Sequence, residues 1–156
     1  MLRKFILVIT VLLISTVANA SDPQAIFSID KKADFETTYQ AVYKSLEANK
    51  FFVVFEPDIG ANLKGFGKNW GDDYNQNKIE RIKSMVFCNG WYANKMSNAD
   101  PTFLALCPLR LTMTHKHGVT TALFVRPDFV ARGSKAEAVA KEITQGVIEA
   151  IEAGMK

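Results

Sequence analysis

Between Leu109 and Arg126, apolar and polar residues alternate on both sides of a Lys116-His117-Gly118 turn. That pattern commits the chain to a β-hairpin with one covered face. Leu109, Leu111 and Met113 share one side of the first strand, and Arg110, Thr112 and Thr114 share the other. On the second strand Val119, Thr121, Leu123 and Val125 alternate with Thr120, Ala122, Phe124 and Arg126, and Pro127 stops the strand. A slip of one residue would turn every apolar side chain to water, so the register is specified by the pattern itself.

The remaining elements are read around this hairpin. Ala25 to Lys31 alternates, with Phe27 and Ile29 opposite Ile26, Ser28 and Asp30, and predicts a first strand. Asp34 can cap a helix running to about Asn49, because Phe35, Tyr39, Val42, Tyr43 and Leu46 recur at helical spacing. Phe51 to Phe55 is an unbroken apolar run closed by Pro57, the composition of a buried strand. From Asp58 to Asn77 the glycines at 60, 65, 67 and 71 predict a long irregular segment. Glu80 to Cys88 alternates again, and a short helix over about Gly90 to Asn98 is ended by Asp100-Pro101. The last helix opens on a capping box, Ser134-Lys135-Ala136-Glu137, carries Val139, Ile143, Val147 and Ile151, and stops at Gly154. The expected order is β-α-β-β-α-β-β-α: a single α+β domain with one mixed or antiparallel sheet and helices on one face.

The first twenty residues are set apart from this domain. Arg3 and Lys4 precede an apolar run from Phe5 to Val17, and Ala18-Asn19-Ala20 offers small residues where a signal peptidase reads. The run is shorter than the roughly 18 to 20 residues a membrane span needs. A signal peptide over 1–20 is expected, with a mature domain over 21–156 that is periplasmic or secreted and leaves the membrane after cleavage. Removing Arg3 and Lys4 lowers the formal net charge from +3 to +1. Nucleic-acid binding needs clustered Lys and Arg, and this balance argues against it.

Cys88 and Cys107 are an even pair in a chain expected to be exported. A disulfide, two separate buried thiols, and a redox or ligand-binding pair all stand open. A disulfide would close a loop of about 20 residues and add on the order of 3 kcal/mol. There is no Cys-x-x-Cys and no Cys-x-x-Cys-His, which removes a thioredoxin-like motif and covalent haem attachment. Cys88 lies between a predicted strand and the start of a predicted helix, where backbone N–H groups and the helix dipole lower a thiol pKa. A strand-helix-strand return brings Cys107 to the same end of the sheet.

Two other constellations invite chemistry. His115 and His117 lie two apart, on one face if the strand stays extended, and with Cys88 and Met96 they would form a copper or haem site. Against this, both histidines flank an exposed turn. The segment from Gly60 to Gly71 resembles a phosphate loop only superficially, since Asn69 follows Lys68 where Ser or Thr is required. Its Phe66, Trp70 and Tyr74, interleaved with Lys64 and Lys68, either flank a pocket or pin the segment to the core.

The run Val86-Phe-Cys-Asn89, the helix ending in Ala99-Asp-Pro101, the stretch Leu104-Ala-Leu-Cys-Pro108 and the hairpin closing with Arg126-Pro127 resemble the bacterial domain of unknown function 302 family. The resemblance spans about residues 27–153. It implies an α+β sandwich that tends to dimerise, with a Cys-Asn pair at one position, matched by Cys88-Asn89, and a Pro-Cys pair at a second. At the second position this chain has the order Cys107-Pro108. The resemblance implies no established reaction.

General acids and bases are scarce around the cysteines, which argues against an enzyme. The expectation is an exported, dimeric binding module for a small ligand or exported protein, its site bounded by Cys88, Asn89, Trp91, Cys107 and Trp70. A thiol-redox or sulfur-handling enzyme using Cys88 as nucleophile and Cys107 as resolving thiol is the alternative, and copper or haem binding the second. No cofactor is identified by the residues alone.

Overall fold

The computed structural model describes residues 24–156, so the expected signal peptide lies outside the described residues. The chain runs as β1 (Ile26–Lys32), α1 (Phe35–Ala48), β2 (Phe52–Phe55), α2 (Ile59–Trp70), β3 (Arg81–Cys88), α3 (Gly90–Ala99), β4 (Leu109–Lys116), β5 (Val119–Val125), α4 (Pro127–Val130) and α5 (Glu137–Met155). Short 3₁₀ turns occupy Gly71–Asp73 and Pro101–Leu106. The strands form one antiparallel sheet in the order β1-β5-β4-β3-β2.

The hairpin follows its alternation. β4 and β5 pair from Leu111 with Phe124 to Lys116 with Val119. His117 and Gly118 take positive φ values of 50° and 75°, the left-handed backbone that lets a two-residue turn follow the strand twist. Met85, Phe87, Leu111, Met113, Ala122 and Phe124 are buried along one side of the sheet.

Two helices cover that side. The Asp34 carboxylate accepts a hydrogen bond from the Thr37 N–H at 2.8 Å, capping α1 as expected. Phe35, Tyr39, Val42 and Leu46 of α1 are buried. Tyr39 ties this helix to the sheet, its hydroxyl donating to the Ser84 carbonyl at 3.1 Å while the Lys83 ammonium lies 4.1 Å from its ring centre. In α5, Ile143, Val147 and Ile151 are buried at four-residue steps, with Ala140, Ala150 and Gly154 beside them.

The expectations for three segments are corrected. Residues 58–77 do not form an irregular segment: Asp58 caps α2 through the Ala61 N–H at 2.8 Å, and Ile59, Leu63, Phe66 and Trp70 recur at helical spacing. Two of the four glycines serve close approach, since a Cβ at Gly60 would lie 3.1 Å from the Ile82 nitrogen and one at Gly67 3.1 Å from the Tyr74 ring, while Gly71 takes a positive φ of 52° after the helix. β2 is not a buried strand but one of the two sheet edges, with Phe52, Val54 and Phe55 exposed. The apolar run is the same for either placement, and only the absence of a neighbour on one side decides it.

The third correction concerns both ends of α5. The capping-box residues close the turn that precedes it: Ser134 Oγ accepts from the Ala136 N–H at 3.1 Å, and Glu137 Oε2 accepts from the Gly133 N–H at 2.7 Å. Gly154 does not stop the helix. It lies buried within α5 where a Cβ would come 2.5 Å from the Val42 Cα and 2.8 Å from its nitrogen, so α5 touches the backbone of α1 there.

Gly154→Ala is therefore expected to destabilise the fold by about 1–3 kcal/mol despite alanine's better helix propensity, because the added methyl meets backbone that cannot rotate away. Denaturant melts measure it, and a neutral or stabilising result would refute the close contact.

Candidate functional site

The chemistry-bearing residues converge where β3 gives way to α3. β3 ends at Cys88, and the Asn89 side chain caps α3 by accepting from the Tyr92 N–H at 3.1 Å. α3 and the turn at Pro101–Leu106 return the chain to Cys107, joined to Pro108 by a cis peptide bond. Antiparallel pairing of Phe87 with Leu109 then fixes both cysteines at one end of the β3-β4 pair. Their sulfurs lie 3.2 Å apart, both cysteines are reduced, and both are partly buried. The expected return of Cys107 to Cys88 is thus realised, as a thiol–thiol contact and not as a disulfide.

Both thiols line a small cavity together with Asn89, Met96, Pro127 and Ile143. Among the described residues no carboxylate, amine or imidazole lines it, and the Asn89 carbonyl oxygen is already engaged at the helix cap. Burial pushes the Cys107 thiol up to about 11, with the hydrogen bond to Cys88 and the Cys88 charge adding to the rise. This thiol is protonated at neutral pH. The free volume of about 20 Å³ compares with roughly 10–15 Å³ for a single water, so the cavity takes an occupant of atomic size. A haem does not fit it.

The wall formed by Pro127 and Ile143 is braced by polar contacts between α4 and α5. Asp128 receives hydrogen bonds from Arg126 Nε at 3.1 Å, from an Arg126 terminal nitrogen at 2.7 Å and from Thr144 Oγ1 at 2.9 Å. Its own N–H donates to Thr144 Oγ1 at 3.1 Å. Burial alone would raise the Asp128 carboxyl, but the bonds from Arg126 and Thr144 outweigh it and hold the group below the usual carboxylate range.

Other residues singled out in the sequence lie elsewhere. His115 pairs with Arg81, at the opposite end of β3 from Cys88, about seven residues or ~23 Å along the strand. Its Nδ1 lies 2.8 Å from Thr120 Oγ1, while His117 is exposed in the turn with its N–H on Glu80 at 2.9 Å. The set Cys88, Met96, His115 and His117 is therefore split: the first two share the cavity and the histidines do not reach it. Trp91 is 68% exposed and faces a shallow groove with Asn49, Lys50 and Phe52. Trp70 belongs to a third hollow, about 420 Å³, between α2 and β3, with Lys64, Tyr74 and Arg81. Phe66, Trp70 and Tyr74 form a ring stack at 5.4 and 6.5 Å, pinned to no core. Of the five residues expected to bound one site, Cys88, Asn89 and Cys107 meet. Sequence reasoning missed the lining from Pro127 and Ile143; Ile143 was legible as buried, but nothing local says which cavity it walls.

Among the described residues no three of His, Cys, Asp or Glu gather to hold a metal, and no helix is long and apolar enough to cross a membrane. The family model described as "Domain of unknown function DUF302" matches residues 27–154. The chain is also similar to the crystal structure of an uncharacterized conserved protein, DUF302, from Bacillus stearothermophilus. That likeness has a TM-score of 0.71 at 15% identity and covers 83% of this chain and 97% of the other; at such identity it speaks for the fold alone. No curated protein matches the sequence.

Asp128→Asn is expected to cost about 1.5–3 kcal/mol at neutral pH by weakening charge-assisted bonds. Because the folded carboxyl is lowered, its stabilisation is present above the unfolded value near 4 and is lost as pH falls through the folded one. The stability gap between wild type and variant should therefore shrink between pH 7 and about pH 3. A gap that stays constant in denaturant melts across that range would count against this bracing.

Proposed function

This chain belongs to the DUF302 family, to which no activity is assigned, and from its cysteine pair we propose that it is an exported, non-enzymatic binding module whose site is that dithiol. The observation that carries the reading is the 3.2 Å contact between Cys88 and Cys107 at a cavity otherwise lined by apolar groups, the Asn89 amide and Tyr92. Export is supported by the N-terminal pattern of Arg3, Lys4, an apolar run and Ala18-Asn19-Ala20. Binding is favoured over catalysis because no general base lines the cavity and burial keeps Cys107 protonated. The ligand is of atomic size, or it is a small molecule or exported protein that approaches the sulfurs from outside.

The same contact favours thiol–disulfide exchange as a second reading. The pair would lose two electrons and two protons to an external oxidised thiol partner, with Cys88, adjacent to the α3 N-terminus, meeting that partner first. In both readings the thiols act as a pair. Intact mass of the mature protein, with and without reductant, tests this: mild oxidation should remove two hydrogens with both thiols becoming inert to alkylation together, and Cys88→Ser should abolish the change. Alkylation of the two sites independently under all conditions would refute the paired site.

The module is proposed to be a homodimer, with the second copy on the uncovered face of α2. Leu63, Phe66 and Trp70 are exposed there, and no residue of this helix is buried. α2 carries Lys64 and Lys68 with no carboxylate between Ile59 and Trp70, while Asp72 and Asp73 follow directly. An antiparallel copy would set the lysines of one chain against the aspartates of the other. Light scattering should give a dimer for wild type and a folded monomer for Phe66→Asp. A monomeric wild type at high concentration would overturn this assignment.

A further inference from the structure

Three sulfur-bearing side chains line the space beside Cys88, and besides them only Asn89 and Tyr92 carry polar side-chain atoms. Two are the thiols 3.2 Å apart. The third belongs to Met96, the buried residue of α3, which is 3% exposed and lines the same cavity. Donor chemistry selects the ion. Calcium and magnesium need about six or more oxygen ligands, and the lining has no carboxylate and only the Asn89 and Tyr92 side-chain oxygens. Structural zinc takes four nitrogen, sulfur or carboxylate ligands, and here there are two thiolates with no histidine or carboxylate to complete the set. Soft thiolate and thioether ligands are the environment that copper(I) prefers.

Size and charge agree with that selection. Free volume of about 20 Å³ admits one bare ion. With metal–sulfur bonds of about 2.3 Å as the scale, a three-coordinate ion holds its sulfurs about 4 Å apart, so the thiols separate by less than about 1 Å from their present contact. Two thiolates and a monovalent cation leave one negative charge, beside the N-terminal N–H groups of the ten-residue α3 that starts two residues after Cys88. Resting on the paired-thiol reading, we propose that this cavity is a copper(I) site, with Cys88 and Cys107 as thiolate ligands and Met96 as thioether ligand. Binding forms two copper–thiolate bonds, releases two thiol protons to solvent and transfers no electron. A disulfide uses the same two sulfurs, so the oxidised pair cannot hold the ion.

The experiment titrates reduced, full-length mature protein with copper(I) held by bicinchoninate under anaerobic conditions, followed by native mass spectrometry. One copper per chain is expected, together with a thiolate-to-copper charge-transfer absorption. Cys88→Ser and Cys107→Ser should each lower affinity at least 100-fold. Met96→Leu, which keeps the packing volume and the fold, should lower it about 10-fold, and its thermal melt in the absence of copper checks that the fold is intact. Absence of uptake by reduced wild type, uptake unchanged in either serine variant, or zinc(II) bound as tightly as copper(I) would each overturn the proposal. The reductant-dependent mass change reports on the pair alone, so a pair that interconverts yet takes no copper refutes the metal site and leaves the dithiol reading standing.

Discussion

A five-stranded sheet has two faces, and the two long helices of this chain cover one of them. They can do so only by lying close enough for Met85, Phe87, Leu111, Met113, Ala122 and Phe124 to be sealed from water. That closeness is set where Gly154 of α5 rests against the backbone of Val42 in α1. Interhelical distance depends on the side chains at the contact, and a glycine gives the shortest. Tyr39 completes the arrangement on the same buried side of α1. Burial, with Glu56 nearby, pushes its hydroxyl far above the usual range, so it stays a neutral donor to the Ser84 carbonyl.

The parts of the fold that were legible in the sequence are those whose burial follows a period. The 109–126 hairpin alternates because one face of its strands is covered, and the stripes of α1 and α5 repeat at helical spacing because one side of each helix is. Where burial and pattern part company, reading failed. α2 buries no residue, so its apolar row had no partner to give it meaning and its glycines were read as breaks. In β2 a run of apolar residues looked like a central strand, and what separates centre from edge is a neighbour, which no residue of β2 encodes. Gly154 was read as a terminator because a glycine near a helix end has two uses, close approach and left-handed backbone, and the sequence does not distinguish them.

The candidate site divides along the same line. Cys88 and Cys107 meet because a strand, a short helix and an antiparallel return strand bring the chain back to its starting edge, a consequence of connectivity that sequence order contains. Asn89 was drawn into the site as the neighbour of Cys88, and its role as the cap of α3 is a finding of the structure. Trp70 and Trp91 were drawn into the same site by their chemistry alone, and their helices turn them to separate hollows. The walls from α4 and α5 belong to residues far along the chain, and only the folded sheet brings them beside α3. The result is a thiol pair in largely apolar surroundings, where ionising Cys107 is unfavourable until something positively charged or covalent takes the proton's place.

The edge strand carries a last consequence. Between Val53 and Phe55 the pairing of β2 with β3 shifts register, and Pro57 follows, its carbonyl accepting from the Ser84 N–H at 3.0 Å. An interrupted, four-residue border with a proline beyond it offers no straight row of backbone groups on which a foreign strand can template itself. The apolar side chains at this border are thus open to contact while its backbone is closed to strand addition. At this border, then, apolar contact and strand addition are separated: side chains can be met by a partner while the backbone gives a growing fibril no footing.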